Sequence, residues 1–306
     1  MKILITGGSG YIGQAAARAF VAGGHTVTLY DPEIPRDAPG AAHVPGKLAE
    51  HNKLTTALLH VDVVVHMAAI ATVGEGSISD FWQNNIAGTW ELTRCMMTAG
   101  CRRLVFASSC AVYGNPLLVP TPEVSSLAPC SVYGVTKAMN EMMFSELCRT
   151  ELFNVTALRF FNVAGAVGRH MERREKETHL IPLALRACMH GTTLRLNGDD
   201  FATPDGTCVR DYVHVADVAR AVMTAAEPRR GWSVFNVGTG CGVSNMEIIN
   251  LCEEITGRSI DLDFGPRRPG DPSRIVADSE ESRHVLGWRP EQDIRSIISS
   301  TWEAMQ

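Results

Sequence analysis

Two side chains that together can act as a base near neutral pH, Tyr133 and Lys137, stand one helical turn apart. The helix predicted over 131–149 puts both on the same face. A free tyrosine titrates near ~10, and a close cation favours its phenolate form. Such a pair also fits an ordinary surface contact worth little energy. Its significance therefore depends on the rest of the chain.

A glycine-rich segment near the N-terminus predicts a dinucleotide site. The apolar strand predicted over 2–6 is followed by Gly7, Gly10 and Gly13, which lead into an alanine-rich helix over 12–23. Glycines in this context allow a tight turn and a close approach of the backbone to a pyrophosphate. The N-terminus of the helix offers free N–H groups to the same anion.

Asp31 follows the second predicted strand, 26–30, and indicates which dinucleotide is bound. A carboxylate at this point suits the ribose 2′-hydroxyl of NAD and repels the 2′-phosphate of NADP. NAD is therefore favoured, and Arg36 nearby keeps NADP as the alternative.

The composition is that of an ordinary globular protein. The 306 residues are 45% hydrophobic and 20% charged, and a net charge of −5 argues against nucleic acid or an anionic membrane as a general partner. We expect no membrane-spanning segment and no signal peptide. The nine cysteines lack CxxC spacing, which predicts reduced thiols and a cytoplasmic location. The histidines lack metal-binding spacing, so we predict no metal.

Strands and helices alternate through the first part of the chain. Strands are predicted over 2–6, 26–30, 61–66, 103–107 and 154–160, and helices over 12–23, 52–59, 81–99 and 131–149. This alternation predicts an α/β fold built on a Rossmann-type, doubly wound parallel sheet. We assign residues 1–165 to an NAD-binding domain.

The pattern changes after residue 165. Residues 166–306 are predicted to form mainly a smaller α/β lobe that binds the substrate, with helices over 180–190, 215–226 and 244–256. Segments near 210–240 return to the main domain, because 234–237 has the composition of another buried strand. The charged run Arg169–Thr178 is predicted to be a solvated loop, with closure over a ligand as the alternative.

Further motifs extend over nearly the whole chain. They are Thr6-Gly-Gly-Ser-Gly-Tyr-Ile-Gly13, Asn84-Asn-Ile-Ala-Gly-Thr89, Ser108-Ser-Cys-Ala-Val-Tyr-Gly114, Leu158-Arg-Phe-Phe-Asn162, Asp205-Gly-Thr-Cys-Val-Arg-Asp-Tyr-Val-His-Val215, Asn236-Val-Gly-Thr-Gly240 and Arg267-Arg-Pro-Gly-Asp271. Together with Tyr133 and Lys137, these runs resemble the extended short-chain dehydrogenase/reductase family, and within it the UDP-glucose 4-epimerase group. The runs at 205–215 and 267–271 are the most specific to nucleotide-sugar epimerases.

The resemblance implies a reversible oxidation at C4 of a UDP-hexose, either plain, N-acetylated or otherwise modified. Tyr133 would take the proton of the 4-hydroxyl while hydride leaves C4 for NAD, and Ser109 would hydrogen-bond the 4-oxygen. Lys137 would hold the nicotinamide ribose and favour the phenolate. The 4-keto sugar would turn over and receive the hydride on its other face, so NAD is recycled.

The resemblance also implies two sets of contacts. The cofactor residues are Gly7, Gly10, Tyr11, Ile12, Gly13, Asp31, Leu48, Ala68, Asn85, Tyr133 and Lys137. The substrate residues are Ser109, Asn162, Arg210, Arg268, Asp271 and Ile275. For Arg210 an ordinary surface salt bridge stays open as the alternative, and for Arg267 with Arg268 a solvated pair on a loop.

Two other functions stay open. A 4,6-dehydratase of the same superfamily places Asp and Glu directly after the active-site Ser or Thr, whereas this chain has Cys110 and Ala111, which disfavours elimination. Cys110 has the character of a small packed thiol, although a thiol is able to donate a proton. A non-catalytic NAD or nucleotide-sugar sensor is the second alternative, and the intact set of Ser109, Tyr133 and Lys137 argues against it.

Three positions depart from the family pattern. Lys47 stands where the family has an acid near the adenine, and Ala71 where it has a lysine near the cofactor phosphates, so we expect weaker retention of NAD. Ile275 replaces a bulky tyrosine found at a gate position in some relatives, which leaves room for an N-acetyl group. Finally, the helices that carry Asn84–Met97 and Tyr133–Cys148 predict a homodimer interface, with burial in the core as the alternative.

Overall fold

The structure, a computed structural model, describes residues 1–71, 77–173, 177–268 and 270–306. Its centre is a seven-stranded parallel sheet. The strands are β1 (Lys2–Thr6), β2 (Thr26–Tyr30), β3 (Ala42–Val44), β4 (Val63–His66), β5 (Arg103–Ser109), β6 (Asn154–Phe160) and β12 (Trp232–Val237). Their order in the sheet is β12-β6-β5-β4-β1-β2-β3. The predicted doubly wound sheet is confirmed, and β3 is a strand that the sequence did not predict.

Helices cover both faces of this sheet. They are α1 (Tyr11–Ala22), α2 (His51–Ala57), α3 (Ile78–Phe81), α4 (Gly88–Ala99), α5 (Val132–Arg149) and α7 (Val215–Ala225). Between α3 and α4 the chain forms a π-helical segment, Trp82–Ala87, inside what the sequence predicts as one helix. The hydroxyl oxygen of Ser131 accepts a 3.1 Å hydrogen bond from the Gly134 N–H and so begins α5 just before Tyr133.

Successive side chains of β1 alternate between two apolar clusters, one on each face of the sheet. Ile3 and Ile5 belong to a cluster shared with α1 and α7, whereas Leu4 points into a separate cluster shared with α2, α4 and α5. Successive side chains of a strand point to opposite faces, so a strand buried on both sides has to be apolar throughout. The two clusters hold the central sheet at the middle of the molecule.

The second part of the chain packs its own cluster beside the sheet. Its elements are β7 (Asn162–Ala164), β8 (Ala166–Val167), β9 (His170–Met171), α6 (Leu180–His190), β10 (Leu194–Asn197), β11 (Val209–His214), β13 (Gly242–Ser244), α8 (Asn245–Thr256), β14 (Leu262–Gly265), β15 (Arg274–Ile275) and α9 (Ile294–Met305). Apolar residues of α6, α8, α9 and β10 form this cluster. The buried strand predicted over 234–237 lies within β12, which pairs with β6 in the main sheet.

The charged run Arg169–Thr178 is only partly described. His170 and Met171 form β9, which pairs antiparallel with β8, and both are buried, so the prediction of a solvated loop is wrong at this end. Residues 174–176 lie outside the described residues, and the alternative of closure over a ligand stays a prediction. No helix in the described part of the chain is long and apolar enough to cross a membrane.

Candidate active site

The glycine segment forms a tight turn between β1 and α1, next to the end of β4. A Cβ on Gly7, whose φ is +68°, would lie 2.5 Å from the amide nitrogen of Ala68. A Cβ on Gly13 would lie 2.3 Å from the carbonyl oxygen of Gly7. Both approaches are too close for any side chain, so the cradle exists because these positions are glycine. Strand order reverses between β1 and β4, the point at which doubly wound sheets bind their ligands.

Asp31 is held in place at the end of β2. Its carboxylate accepts hydrogen bonds from the N–H groups of Ser9, at 3.1 Å, and Glu33, at 2.9 Å. The side chain is therefore fixed beside the glycine turn, where the sequence predicted a ribose contact. Leu48 follows β3 and packs close to Gly88 at the start of α4, while Lys47 beside it is exposed.

Lys137 is buried beneath Tyr133, with 3% of its surface exposed. Its Nζ donates a 2.6 Å hydrogen bond to the carbonyl oxygen of Ala107 on β5. The same atom lies 5.7 Å from the centre of the Tyr133 ring and 4.9 Å from that of Phe106. Burial lowers the pKa of Lys137 to about 7, against the raising effect of the Glu141 carboxylate. The pair predicted from spacing thus joins a half-buried Tyr133 to a buried Lys137 and is not an exposed surface contact.

Ser109 ends β5 and caps the short 3₁₀ turn Cys110–Val112. Its hydroxyl oxygen accepts a 3.2 Å hydrogen bond from the N–H of Ala111. Burial raises the pKa of the Cys110 thiol to about 12. Cys110 therefore stays protonated near neutral pH, as the sequence interpretation of a packed thiol requires.

A cavity of about 270 Å³ brings several predicted residues together. Ser109 and Tyr133 line one side, Tyr11 and Ile12 come from the start of α1, and Asn162 comes from β7. A second cavity of about 480 Å³ lies along Ser9 and Gly10, and Tyr11 lines both. The two cavities thus adjoin at the start of α1.

Asn85 uses its side chain as a brace within the protein. From the π-helical segment, its amide accepts a hydrogen bond from the N–H of Ile70 at 2.8 Å and donates to the Ile70 carbonyl oxygen at 3.0 Å. It also donates to the Thr136 hydroxyl of α5 at 3.1 Å. The predicted cofactor residue therefore fixes the segment that leads to Ala71, which lines the cavity.

Two predicted substrate residues pair with each other. The Arg210 guanidinium donates to the Asp271 carboxylate at 2.6 Å, and Arg210 itself is buried. Arg210 stands two positions before Tyr212 on β11, and Tyr212 lines the cavity. Arg210 does form a salt bridge, but its side chain is buried. The alternative of an ordinary surface salt bridge is therefore wrong.

The other predicted substrate residues lie on the adjoining loop and strand. With the Asn197 amide turned so that its oxygen accepts, Arg268 donates two hydrogen bonds of 3.2 Å to it. Arg267 pairs instead with Asp200 at 2.5 Å and covers the ring of Phe201. Pro269, between Arg268 and Asp271, lies outside the described residues.

Ile275 on β15 is buried in a cluster with Phe161, Val112 and Cys110. Of these, Phe161 lines the cavity, and Ile275 is not among the described residues that do. The side chain therefore packs behind the cavity wall.

Several residues at the site were not predicted. His179 lines the cavity at the start of α6, with its Nδ1 2.9 Å from a Glu177 carboxylate oxygen and 3.2 Å from one of Glu172. Glu141 and Arg159 form a buried ion pair of 2.7 Å beneath the catalytic candidates. A charged residue inside an apolar strand, such as Arg159 in β6, was the available signal, because a buried charge needs a partner.

One group of possible metal ligands occurs in the described part of the chain, although the sequence predicted none. His51, Glu91 and Cys95 bring ligand atoms within 4.8 Å of one another between α2 and α4. The Glu91 carboxylate already pairs with His51 at 2.5 Å and with Arg94 at 3.0 Å. All nine cysteines are free thiols in the structure.

Comparison with known proteins places these features in context. A model of the NAD dependent epimerase/dehydratase family matches residues 3–238. A UDP-glucose 4-epimerase of Corynebacterium glutamicum is 38% identical over 99% of this chain and 95% of its own length.

Two solved structures are similar to this chain in both fold and sequence. A UDP-glucose 4-epimerase from Brucella ovis in complex with NAD is 34% identical, with a TM-score of 0.93 over 98% of this chain and 96% of its own. A UDP-glucose 4-epimerase from Stenotrophomonas maltophila, with bound NAD and formylated UDP-arabinopyranose, is 31% identical. Its TM-score is 0.95 over 99% of this chain and 97% of its own.

Proposed function

Because the chain belongs to the NAD dependent epimerase/dehydratase family, we propose that it is an NAD-dependent isomerase that inverts C4 of a UDP-sugar. The observation that carries the proposal is the cavity in which Ser109 and Tyr133 meet, beside the glycine turn and above the buried Lys137. The similarity to UDP-glucose 4-epimerases over nearly the whole chain supports it.

The residues present fit NAD. Gly7 and Gly13 leave a cradle that a Cβ would fill, and α1 begins there with free N–H groups. The fixed Asp31 carboxylate would accept hydrogen bonds from a ribose, and Leu48, Ala68, Tyr11 and Ile12 would contact the rest of the cofactor. When bound, NAD supplies the oxidant that accepts a hydride from C4 of the sugar and gives it back.

The protein groups then act as follows. Tyr133, as phenolate, takes the proton from the 4-hydroxyl, and Lys137 beneath it stabilises the negative oxygen. Ser109 hydrogen-bonds the 4-oxygen and holds it toward Tyr133. Lys137 would also hold the ribose hydroxyls of the cofactor. The proton of the 4-hydroxyl and the hydride from C4 both return to the sugar, so there is no net oxidation.

The diphosphate and nucleoside need to stay fixed while the sugar turns. Arg210 and Arg268 are the cations proposed to hold the diphosphate, because guanidinium groups match phosphate geometry. Asp271 would accept from the uridine ribose, and Asn162 lines the cavity. The ion pair between Arg210 and Asp271 would hold both side chains in position before the substrate binds.

We propose residues 1–165, with segments near 210–240, as the NAD-binding domain and the remainder of 166–306 as the substrate lobe. A homodimer is proposed through the outer faces of α4 and α5, where Trp90, Met139 and Met142 are exposed. Exposed apolar groups on adjacent helices indicate a partner surface. The free thiols support a reducing, cytoplasmic location.

The test is incubation of the purified protein and NAD with a panel of UDP- and dTDP-sugars, followed by chromatography for C4 epimers. Interconversion of UDP-galactose and UDP-glucose is expected. Comparable turnover of the UDP-N-acetylhexosamines is expected too, and failure to bind them rules out that extension. A 4-keto-6-deoxy product would instead identify a dehydratase.

A further inference from the structure

One buried carboxylate, that of Glu141 on α5, binds polar groups from two strands beneath the catalytic candidates. Glu141 lies on α5 and is 2% exposed. Arg159 of β6 donates to both of its oxygens, with Nε at 3.0 Å and Nη2 at 2.7 Å. The hydroxyl of Ser108, on β5, donates to the same carboxylate. The carboxylate is therefore fixed in a bidentate pair with an added hydrogen bond.

The partner guanidinium is fixed in turn. Arg159 Nη1 donates to the Tyr113 hydroxyl and to the Glu123 carbonyl oxygen, each at 2.8 Å. Tyr113 donates to the Asn236 side chain at 2.7 Å. The network thus continues from α5 through β6 to β12, and its members have few alternative positions.

Two short steps connect Glu141 to the catalytic candidates. Ser108 directly precedes Ser109 at the end of β5, so the Glu141–Ser108 hydrogen bond restrains the residue that presents Ser109 to the cavity. Lys137 lies one helical turn before Glu141 on α5. Side chains at this spacing are neighbours on a helix face.

We propose that Glu141 is a positioning residue for the reaction, whose fixed negative charge favours the ammonium form of Lys137 and whose hydrogen bond to Ser108 holds Ser109 in place. This role rests on the C4-epimerase function proposed above. Glu141 does not itself touch the sugar; it acts through Lys137 and Ser108.

The surroundings of Lys137 leave this task to Glu141. From β5 it meets the Ala107 carbonyl oxygen and the Phe106 ring. From β4 it faces His66, whose pKa burial lowers to about 3, so this histidine is neutral. Arg159 on β6 is engaged by Glu141 itself.

On α5 the titratable neighbours of Lys137 are Tyr133 and Glu141. Burial alone disfavours the ammonium, and the carboxylate opposes that effect. Removal of the carboxylate therefore lets Lys137 lose its proton at lower pH, and a neutral amine no longer stabilises the Tyr133 phenolate.

The test compares Glu141→Gln with Glu141→Asp and with Glu146→Gln. Glu146 lies on the same helix and pairs with Arg149 at 3.1 Å, but it is exposed, so it is a matched control. Lys137 is titrated by NMR on protein with ¹³C-labelled lysine, its signal assigned by its absence from Lys137→Arg. Epimerisation by the wild type is measured first, because its absence would refute the proposed function and not this role.

Glu141→Gln is expected to titrate Lys137 at lower pH and to reduce kcat by roughly tenfold or more, while KM changes by less than about twofold. Glu141→Asp, which keeps the charge, restores the Lys137 titration, and Glu146→Gln matches the wild type. If the single variant Glu141→Gln does not fold, the double variant Glu141→Gln/Arg159→Gln replaces the ion pair with two neutral amides. Its Lys137 has to titrate at the same lower pH. An unchanged Lys137 titration in these variants, even with lost stability or rate, overturns the proposal.

Discussion

The ammonium of Lys137 lies 5.7 Å from the centre of the Tyr133 ring and is held there by a strand, through its 2.6 Å hydrogen bond to the Ala107 carbonyl. The helix supplies the spacing of the two residues, and β5 supplies the fixed point. Burial of the ammonium removes the competing water that would screen it at a surface. A cation placed in this way favours negative charge on the phenol oxygen.

Tyr133→Phe tests the assigned base. The change removes only the phenolic oxygen and leaves the ring over Lys137. Turnover is expected to fall roughly 10²–10⁴-fold, the range that general base catalysis contributes. Binding of UDP and NAD, measured by calorimetry, should stay close to that of the wild type. A variant that retains turnover contradicts the assignment.

His66 predicts a loss of stability in acid. It is buried on β4, bonded to the hydroxyls of Thr6 at 2.6 Å and Thr89 at 2.9 Å. Burial lowers its pKa from 6.5 to about 3, with the charge of Lys137 adding to the effect. The neutral form is therefore favoured in the folded state, and stability is full above pH 6.5 and falls as the pH drops toward 3.

The loss on this account approaches about 5 kcal/mol, since one pKa unit is worth about 1.4 kcal/mol. Urea unfolding at several pH values measures this loss in the free energy of unfolding. In His66→Gln, the slope of that free energy against pH, between pH 6.5 and 3, is expected to correspond to about one proton fewer than in the wild type. An equal slope in the variant would assign the acid sensitivity to other groups.

Retention of NAD is expected to be weak. Lys47 beside Leu48 is exposed, and Ala71 offers no cation toward the cofactor. Purified protein should therefore lose NAD on dialysis and recover activity when NAD is added back. Lys47→Asp should slow the loss by supplying an acceptor near the adenine. Full activity after prolonged dialysis, with no added NAD, speaks against this expectation.

The proposed homodimer makes a prediction about Met142, which is 66% exposed on α5. Met142→Glu places a charge in the apolar face and should convert the dimer to a monomer, because an unpaired charge is costly to bury. Light scattering coupled to gel filtration gives the mass. Val124→Glu, at a residue that is 92% exposed on a loop, is the control and should leave the mass unchanged. A wild type that is monomeric at all concentrations rules out this interface.

Elements with a strong periodic pattern could be predicted from the sequence, and irregular ones could not. The strand of residues 2–6 and the helix at 180–190 occur with the predicted bounds. The π-helical segment Trp82–Ala87 was missed because its cause is tertiary: Asn85 turns inward to bond Ile70 and Thr136. Edge strand β3 was missed because three residues carry little pattern.

Within the site, sequence motifs gave the chemical groups but not their partners. Ser109 and Tyr133 could be predicted to share a cavity because their motifs resemble those of the epimerase family. The Arg210–Asp271 pair joins positions far apart in the chain and depends on how β11 meets the loop before β15. Glu141 was missed for the same reason, since its partner Arg159 comes from β6.

The most direct test of the central claim follows the hydrogen at C4. UDP-galactose is incubated with the protein and NAD in D₂O, and the products are examined by NMR. The expected product is UDP-glucose that carries protium at C4, because the hydrogen removed from the sugar is returned to it without exchange with solvent. UDP-glucose with deuterium at C4, or no C4 epimer from any UDP-sugar in the presence of NAD, would contradict it.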